Sequence, residues 1–235
     1  MIRAILFDLD DTLIDHQHAA RAAMAGVRAR FSALAQLPLD VLAAEHQRIL
    51  DLLHHEVAIG ARSVDDARID RYRRLFAFAG ADGERAGAAA ELHRRVYQAT
   101  RRPVAGAREL LVALHGQVRI AVVTNNTLVE QTEKLATFGL APFVDALVTS
   151  EEIGVAKPDG RIFAAALARV GCTAPEAVMV GDSWVHDVEG ALAAGIGAVW
   201  LNRTGVAHPE RTGAPHLVAL TPAMDVAAML VRTAG

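Results

Sequence analysis

Short apolar runs rich in β-branched residues recur along the chain, and each ends in polar or small residues. They span Ala4 to Leu9, Arg119 to Thr124, Ala146 to Thr149, Val178 to Gly181 and Ala198 to Leu201, with His216 to Leu220 a weaker sixth. Runs without polar alternation predict strands buried on both faces, as in a parallel sheet covered by helices. Between most of them the apolar positions follow a helical period. Leu128, Leu135 and Phe138 share one face, Ile162, Ala166 and Val170 a second, and Val185, Val188 and Leu192 a third.

Strands alternating with helices predict a Rossmann-like, doubly wound α/β domain. The alternation lapses between about Asp15 and Thr100, where every stripe is helical: Ala20, Met24, Val27, Phe31 and Leu34; Leu42, Ile49 and Leu53; Ile69, Tyr72 and Phe76; Leu92 and Val96. Breaks fall near Pro38, Gly60-Ala61-Arg62-Ser63 and Gly80-Ala81-Asp82-Gly83. The expected organisation is an α/β core of residues 1–14 and 101–235, with a four-helix module of residues 15–100 inserted after the first strand.

Composition narrows the field. With 235 residues, 52% of them hydrophobic, the chain has ample material for a packed core. A formal net charge of −3 with dispersed basic residues offers no footprint for a nucleic-acid polymer. Cys172 is the single cysteine, which excludes an internal disulfide and suits a reducing, cytoplasmic setting. No apolar run approaches the roughly 20 residues that cross a bilayer, and Met1 to Phe7 lacks the build of a signal peptide. The sequence is expected to act as a monomer or homodimer.

Ligands of open α/β sheets gather at the carboxyl ends of the strands, and four such ends here carry reactive residues. The first ends Phe7-Asp8-Leu9-Asp10-Asp11-Thr12 and the second Val123-Thr124-Asn125-Asn126. The third leads to Gly154-Val155-Ala156-Lys157-Pro158, and the fourth ends Val180-Gly181-Asp182-Ser183, with Asp187 close behind. Residues two apart on a strand face one side, so Asp8 and Asp10 are expected in one pocket. Joined there by Asp182 and Asp187, they would repel unless a cation were shared, and all-oxygen ligation suits Mg²⁺. Lys157 adds a fixed positive charge, Thr124 a hydroxyl, and the following turn backbone N–H groups. These are the components of phosphoryl transfer. Singly, each would pass as a turn, a helix cap or a solvated lysine; together, at successive strand ends, they point to a site. No G-x-x-x-x-G-K-[ST] sequence is present, which removes a nucleotide-triphosphatase reading.

The combination resembles the haloacid dehalogenase superfamily, in its phosphatase branch with a helical cap inserted after the first strand. Asp8-Leu9-Asp10-Asp11-Thr12 matches the first motif of that family, Thr124 the second, Lys157 the third, and Gly181 to Asp187 the fourth. The stretch Gly181 to Arg203 is similar to bacterial phosphatases acting on nucleoside monophosphates or phosphorylated sugars. The resemblance implies that Asp8 is the nucleophile. Asp10 would protonate the leaving alcohol and then activate water, with a pKa held above that of Asp8 by like charges and Lys157. Magnesium would sit on the Asp8 carboxylate, the Asp10 backbone carbonyl and the Asp182 carboxylate. Asp187 would act through water or by holding Lys157, while Thr124 and the Asn125 amide bind phosphate oxygens and Thr12 orients the loop.

The inserted cap is expected to close over the site and select a small phosphorylated metabolite. Arg21 and Arg62 are candidate contacts to a second substrate charge. His16 and His18 read as a solvated helix face, and His54-His55 lacks the spacing of a metal site. Gly190, Gly195 and Gly197 are read as packing and termination glycines. Other readings differ in identifiable ways. A haloacid dehalogenase would lack the acid at Asp10, and a phosphomutase would return the phosphoryl group to substrate. A signalling receiver would be phosphorylated at a later strand and accumulate phosphoprotein, and a binding module would need none of these motifs intact.

Overall fold

A computed structural model of the chain describes residues 1–58, 62–207 and 214–232. The chain forms two compact units, Met1–Asp15 with Arg102–Gly235, and His16–Arg101.

The first unit is built on six parallel strands, β1 (Ala4–Phe7), β2 (Arg119–Thr124), β3 (Ala146–Thr149), β4 (Ala177–Gly181), β5 (Gly197–Leu201) and β6 (His216–Leu217). They lie in the order β3-β2-β1-β4-β5-β6, so β1 is central, between β2 and β4. The pleat explains the unbroken apolar runs. Ile5 and Phe7 enter one apolar layer with Val122, Val180 and Leu111, while Ala4 and Leu6 enter the opposite layer with Val123, Met179 and Phe163. Both faces are covered, and neither has room for a polar residue. Register then aligns the strand ends: Phe7 pairs with both Val122 and Val180, and Asp8 N–H donates to the Val180 carbonyl at 2.9 Å. Asp8, Thr124 and Gly181 thereby end on one edge of the sheet.

Strand β1 stops at Phe7, two residues earlier than its apolar run suggests. The chain turns instead through Asp11, a non-glycine residue at φ 66°, and Asp10 bridges to Ile14. Asp8 and Asp10 are therefore related by a loop and not by strand alternation. A second difference lies at Trp184–Glu189, which is a π-helix and not an α-helix. Its wider turn rotates the face expected to be apolar, so Val188 and Ala191 are buried while Val185 and Leu192 are exposed.

The second unit holds four long helices among the described residues, His16–Arg30, Leu39–Ala58, Val64–Phe78 and Ala86–Thr100, with a single turn at Ser32–Ala35. Met24, Val27, Leu42, Ile49, Tyr72, Leu75 and Phe76 form its core. The stripe through Phe31 is not one helix: Phe31 is extended and precedes the short turn. The Ser63 side chain accepts from Asp66 N–H to start the third long helix. In the last, His93 is buried where the apolar stripe predicts Leu92 and Val96, because its Nδ1 meets the Tyr72 hydroxyl at 2.5 Å. Residues 59–61 fall outside the described residues, as do the side chains of His54 and His55, so part of the expected break at Gly60-Ala61-Arg62-Ser63 and the His54-His55 pair lie there. No helix among the described residues is long and apolar enough to cross a membrane.

Candidate active site

Burial organises the strand-end residues around one lysine. Lys157 is 4% exposed, Asp8 7% and Asp187 1%. The Lys157 Nζ donates to Asp8 Oδ1 at 2.6 Å and to Asp187 Oδ1 at 2.6 Å. Ser183 N–H donates to the other Asp187 oxygen at 3.0 Å, so both oxygens of that carboxylate are occupied. The lysine backbone is held too. The Asn125 side chain donates to the Lys157 carbonyl at 3.0 Å and accepts from the Lys157 N–H at 2.7 Å. This two-point bracket ties the end of β2 to the loop after β3.

Asp182 follows β4, and its peptide is fixed on both sides. Its N–H donates to Thr12 Oγ1 at 3.1 Å, and its carbonyl accepts from the Trp200 indole at 2.8 Å. Thr12 is thus buried inside the unit as a loop brace. Gly181 explains itself by space: a Cβ there would fall on the Asp187 carboxylate, so any larger residue displaces the group that holds Lys157. Gly190 lies equally close to Pro158 and Phe163, Gly195 takes φ 76° after a helix, and Gly197 opens β5.

Asp10 is held by different partners from those expected. Its cation is Lys134, whose Nζ donates to the two carboxylate oxygens at 2.8 and 2.9 Å, while Lys157 reaches Asp8. Gln131 adds a bond from Nε2 to Asp10 Oδ2 at 3.0 Å and another to Thr124 Oγ1 at 2.8 Å. Gln131 and Lys134 both lie on the helix Leu128–Thr137 and are fully buried. Neither was among the candidates read from the sequence.

The electrostatics follow from the company each group keeps. Burial pushes the Asp8 carboxyl up to about 7, against the pull of Lys157 and with the repulsion of Asp187 and Asp10. Burial, then the charges of Asp8, Asp187 and Asp11, pushes Asp182 up to about 8. For Lys157 burial opposes the charge, but the Asp187 and Asp8 carboxylates outweigh it and hold its pKa above the usual lysine value. Asp8, Asp182 and Asp187 bring one oxygen each within 4.8 Å of one another. Three carboxylates (−3) and one ammonium (+1) leave a formal −2, which one divalent cation would neutralise. The donor set is all oxygen, so it fits a hard cation.

The other candidates lie in the helical unit. Arg21 pairs with Asp40 at 2.6 Å, and Arg62 pairs with Glu56 at 2.6 Å and Asp70 at 3.4 Å.

Comparison with known proteins adds four findings. The family model for haloacid dehalogenase-like hydrolases matches residues 2–195. Among curated proteins, a glyceraldehyde 3-phosphate phosphatase of Methanothermobacter thermautotrophicus is 31% identical over 209 residues, covering 86% of each chain. A phosphoserine phosphatase of Thermus thermophilus is 34% identical over 228 residues, covering 86% of this chain and 89% of that one. Among solved structures, the HAD-hydrolase YfnB of Bacillus subtilis bound to magnesium superposes with a TM-score of 0.74 at 25% identity, over 96% of this chain and 98% of that one.

Proposed function

The chain belongs to the haloacid dehalogenase-like hydrolase family, and from that premise we propose that it is a magnesium-dependent phosphatase that hydrolyses small phosphorylated metabolites through an aspartyl-phosphate on Asp8. The observation that carries this reading is the buried Asp8 bonded to Lys157, beside Asp182 and two residues from a separately held Asp10. Two curated relatives named for different phosphomonoesters, of a triose and of an amino acid, support the reaction class more than any one substrate. We assign the substrate to the nucleoside monophosphates or sugar phosphates, and the helical unit to a cap that selects among them.

Each residue has a role in this reading. Asp8 attacks phosphorus in line with the departing oxygen. Lys157 screens the incoming phosphate from the Asp8 and Asp187 charges and keeps the nucleophile oriented. Asp10 gives a proton to the leaving oxygen, then takes one from the water that cleaves the acyl-phosphate. Thr124 accepts a hydrogen bond from Gln131, which leaves its own hydroxyl hydrogen for a phosphate oxygen; the Asn125 N–H serves another. The carboxylates of Asp8 and Asp182 and the Asp10 carbonyl would hold Mg²⁺, which supplies charge neutralisation to the phosphoryl group when bound. Asp187, with both oxygens engaged, serves by holding Lys157.

The test is phosphate release from a panel of nucleoside monophosphates, sugar phosphates and small phospho-acids. Hydrolysis of at least one class is expected with magnesium, lost in EDTA and restored by adding the metal back. Silence across the panel, or turnover undiminished by EDTA, would remove the reading. Release of inorganic phosphate in place of an isomeric ester separates hydrolysis from a mutase.

A pH dependence follows from the raised carboxyls. Unfolded aspartates ionise near pH ~4, whereas Asp8 and Asp182 hold protons to about 7 and about 8 in the folded chain. Between those limits the folded metal-free protein binds more protons than the unfolded one, so these groups cost stability as pH rises through the window. Magnesium must displace those protons. The increase in melting temperature on adding magnesium is therefore expected to be small at pH 5 and larger at pH 8.5. Equal increases at both would contradict the assignment of these carboxylates as ligands.

A further inference from the structure

Lys134 presents a physical puzzle. Its side chain is fully buried on a helix face where leucine would pack, and burying an ion pair is a poor way to stabilise a fold. Its Nζ spans both oxygens of Asp10, with Glu130 at 3.4 Å on the other side. One helical turn earlier, Gln131 uses a single Nε2 to bond Asp10 and Thr124 together. Both of its acceptors are oxygens, so the nitrogen belongs on that side. The two residues are three apart and share a face, which sets the lysine and the amide side by side under the carboxylate.

We infer that Lys134 and Gln131 are positioning residues for the proton-transfer steps, and that they lock Asp10 and Thr124 into one unit before substrate arrives. The inference rests on the phosphatase reading. In the first step the bond from Asp8 oxygen to phosphorus forms and the ester P–O bond breaks, while Asp10, an anion bonded to Lys134 and Gln131 at rest, relays to the leaving oxygen the proton that the phosphomonoester monoanion brings. In the second, water oxygen bonds phosphorus, its proton passes to Asp10, and the acyl-phosphate P–O bond breaks to restore Asp8. Both steps need the Asp10 carboxyl at a fixed place relative to the phosphoryl group, and Thr124 is the contact that defines that place. A carboxyl free to rotate would meet the leaving oxygen only part of the time.

The test compares esters that differ in their need for a proton. Lys134→Met and Gln131→Met are assayed with 4-nitrophenyl phosphate, whose leaving group departs as the anion, and with an alkyl phosphate hydrolysed by the parent protein. Because kcat/KM reports the first step, it is expected to fall roughly 10²-fold for the alkyl ester and less than about fivefold for the aryl ester. Lys134→Arg should recover part of the loss. The second step slows for every substrate, so rapid mixing with the aryl ester should show a burst of about one nitrophenolate per protein molecule. An equal loss on both esters, or no loss in either variant, overturns the inference. Gln131→Met strands no charge and gives the reading should Lys134→Met fail to fold. If the parent protein cleaves neither ester, the phosphatase reading fails instead, and the two failures are thereby distinct.

Discussion

Asp8→Asn is expected to abolish phosphate release and leave the protein folded. The amide is neutral and a poor nucleophile, so the covalent route closes, and turnover should drop by more than about 10³-fold. The shape is kept. The amide oxygen can still accept the bond that Lys157 gives to Asp8 Oδ1, and Lys157 retains Asp187. The substitution also removes a buried carboxylate that burial, then the repulsion of Asp187 and Asp10, already pushes up to about 7 against the pull of Lys157. A melting temperature near that of the parent in EDTA is the accompanying result. Turnover within tenfold of the parent would refute Asp8 as nucleophile.

Lys157→Met carries the largest expected effect on stability. The methionine fills the same volume but leaves Asp8 and Asp187, both bonded to Lys157 at 2.6 Å and both buried, without their cation. Breaking a buried pair by deleting one partner costs about 3–5 kcal/mol, which lowers the melting temperature of a chain this size by roughly 10 °C. Activity should vanish with it. The contrast with Arg21 is instructive, because its pair with Asp40 is exposed and its removal should change stability by less than ~1 kcal/mol. An unchanged melting temperature in Lys157→Met, measured in EDTA, would contradict the view that this lysine holds the strand ends together.

Much of this architecture is legible in the sequence, because parallel strands covered on both faces have no polar alternation to disguise them. Leu9, Thr124, Thr149 and Gly181 close such runs, and the reactive residues stand at or near those ends. What the pattern misses has physical causes. Asp10 reads as a strand residue because Leu9 is apolar, yet Leu9 is buried in a loop whose turn runs through Asp11. Val185 and Leu192 fit an α-helical period that the π-turn at Trp184–Glu189 breaks. Gln131 and Lys134 fall in the gap of the stripe Leu128, Leu135 and Phe138, where polar residues read as solvent-facing. Their burial follows from partners more than 100 positions earlier, which no local period records. A break in an apolar stripe at a strand-to-helix junction is the available signal, since local rules fail most often where function requires it.

The place where the chain leaves and re-enters the α/β unit carries one more implication. Asp15 N–H donates to the Arg102 carbonyl at 3.0 Å, Val104 N–H to the Leu13 carbonyl at 2.9 Å, and the Asp15 carboxylate binds both Arg102 and Arg203. Departure and return are thus adjacent and stitched to each other by the unit itself. An intervening segment of other length or shape could hang from those two stems without shifting β1 or Asp8, since lengthening a closed loop costs little. Such a junction is a graft point: evolution, or an engineer, can exchange the inserted module while the strand ends of the α/β unit stay in register.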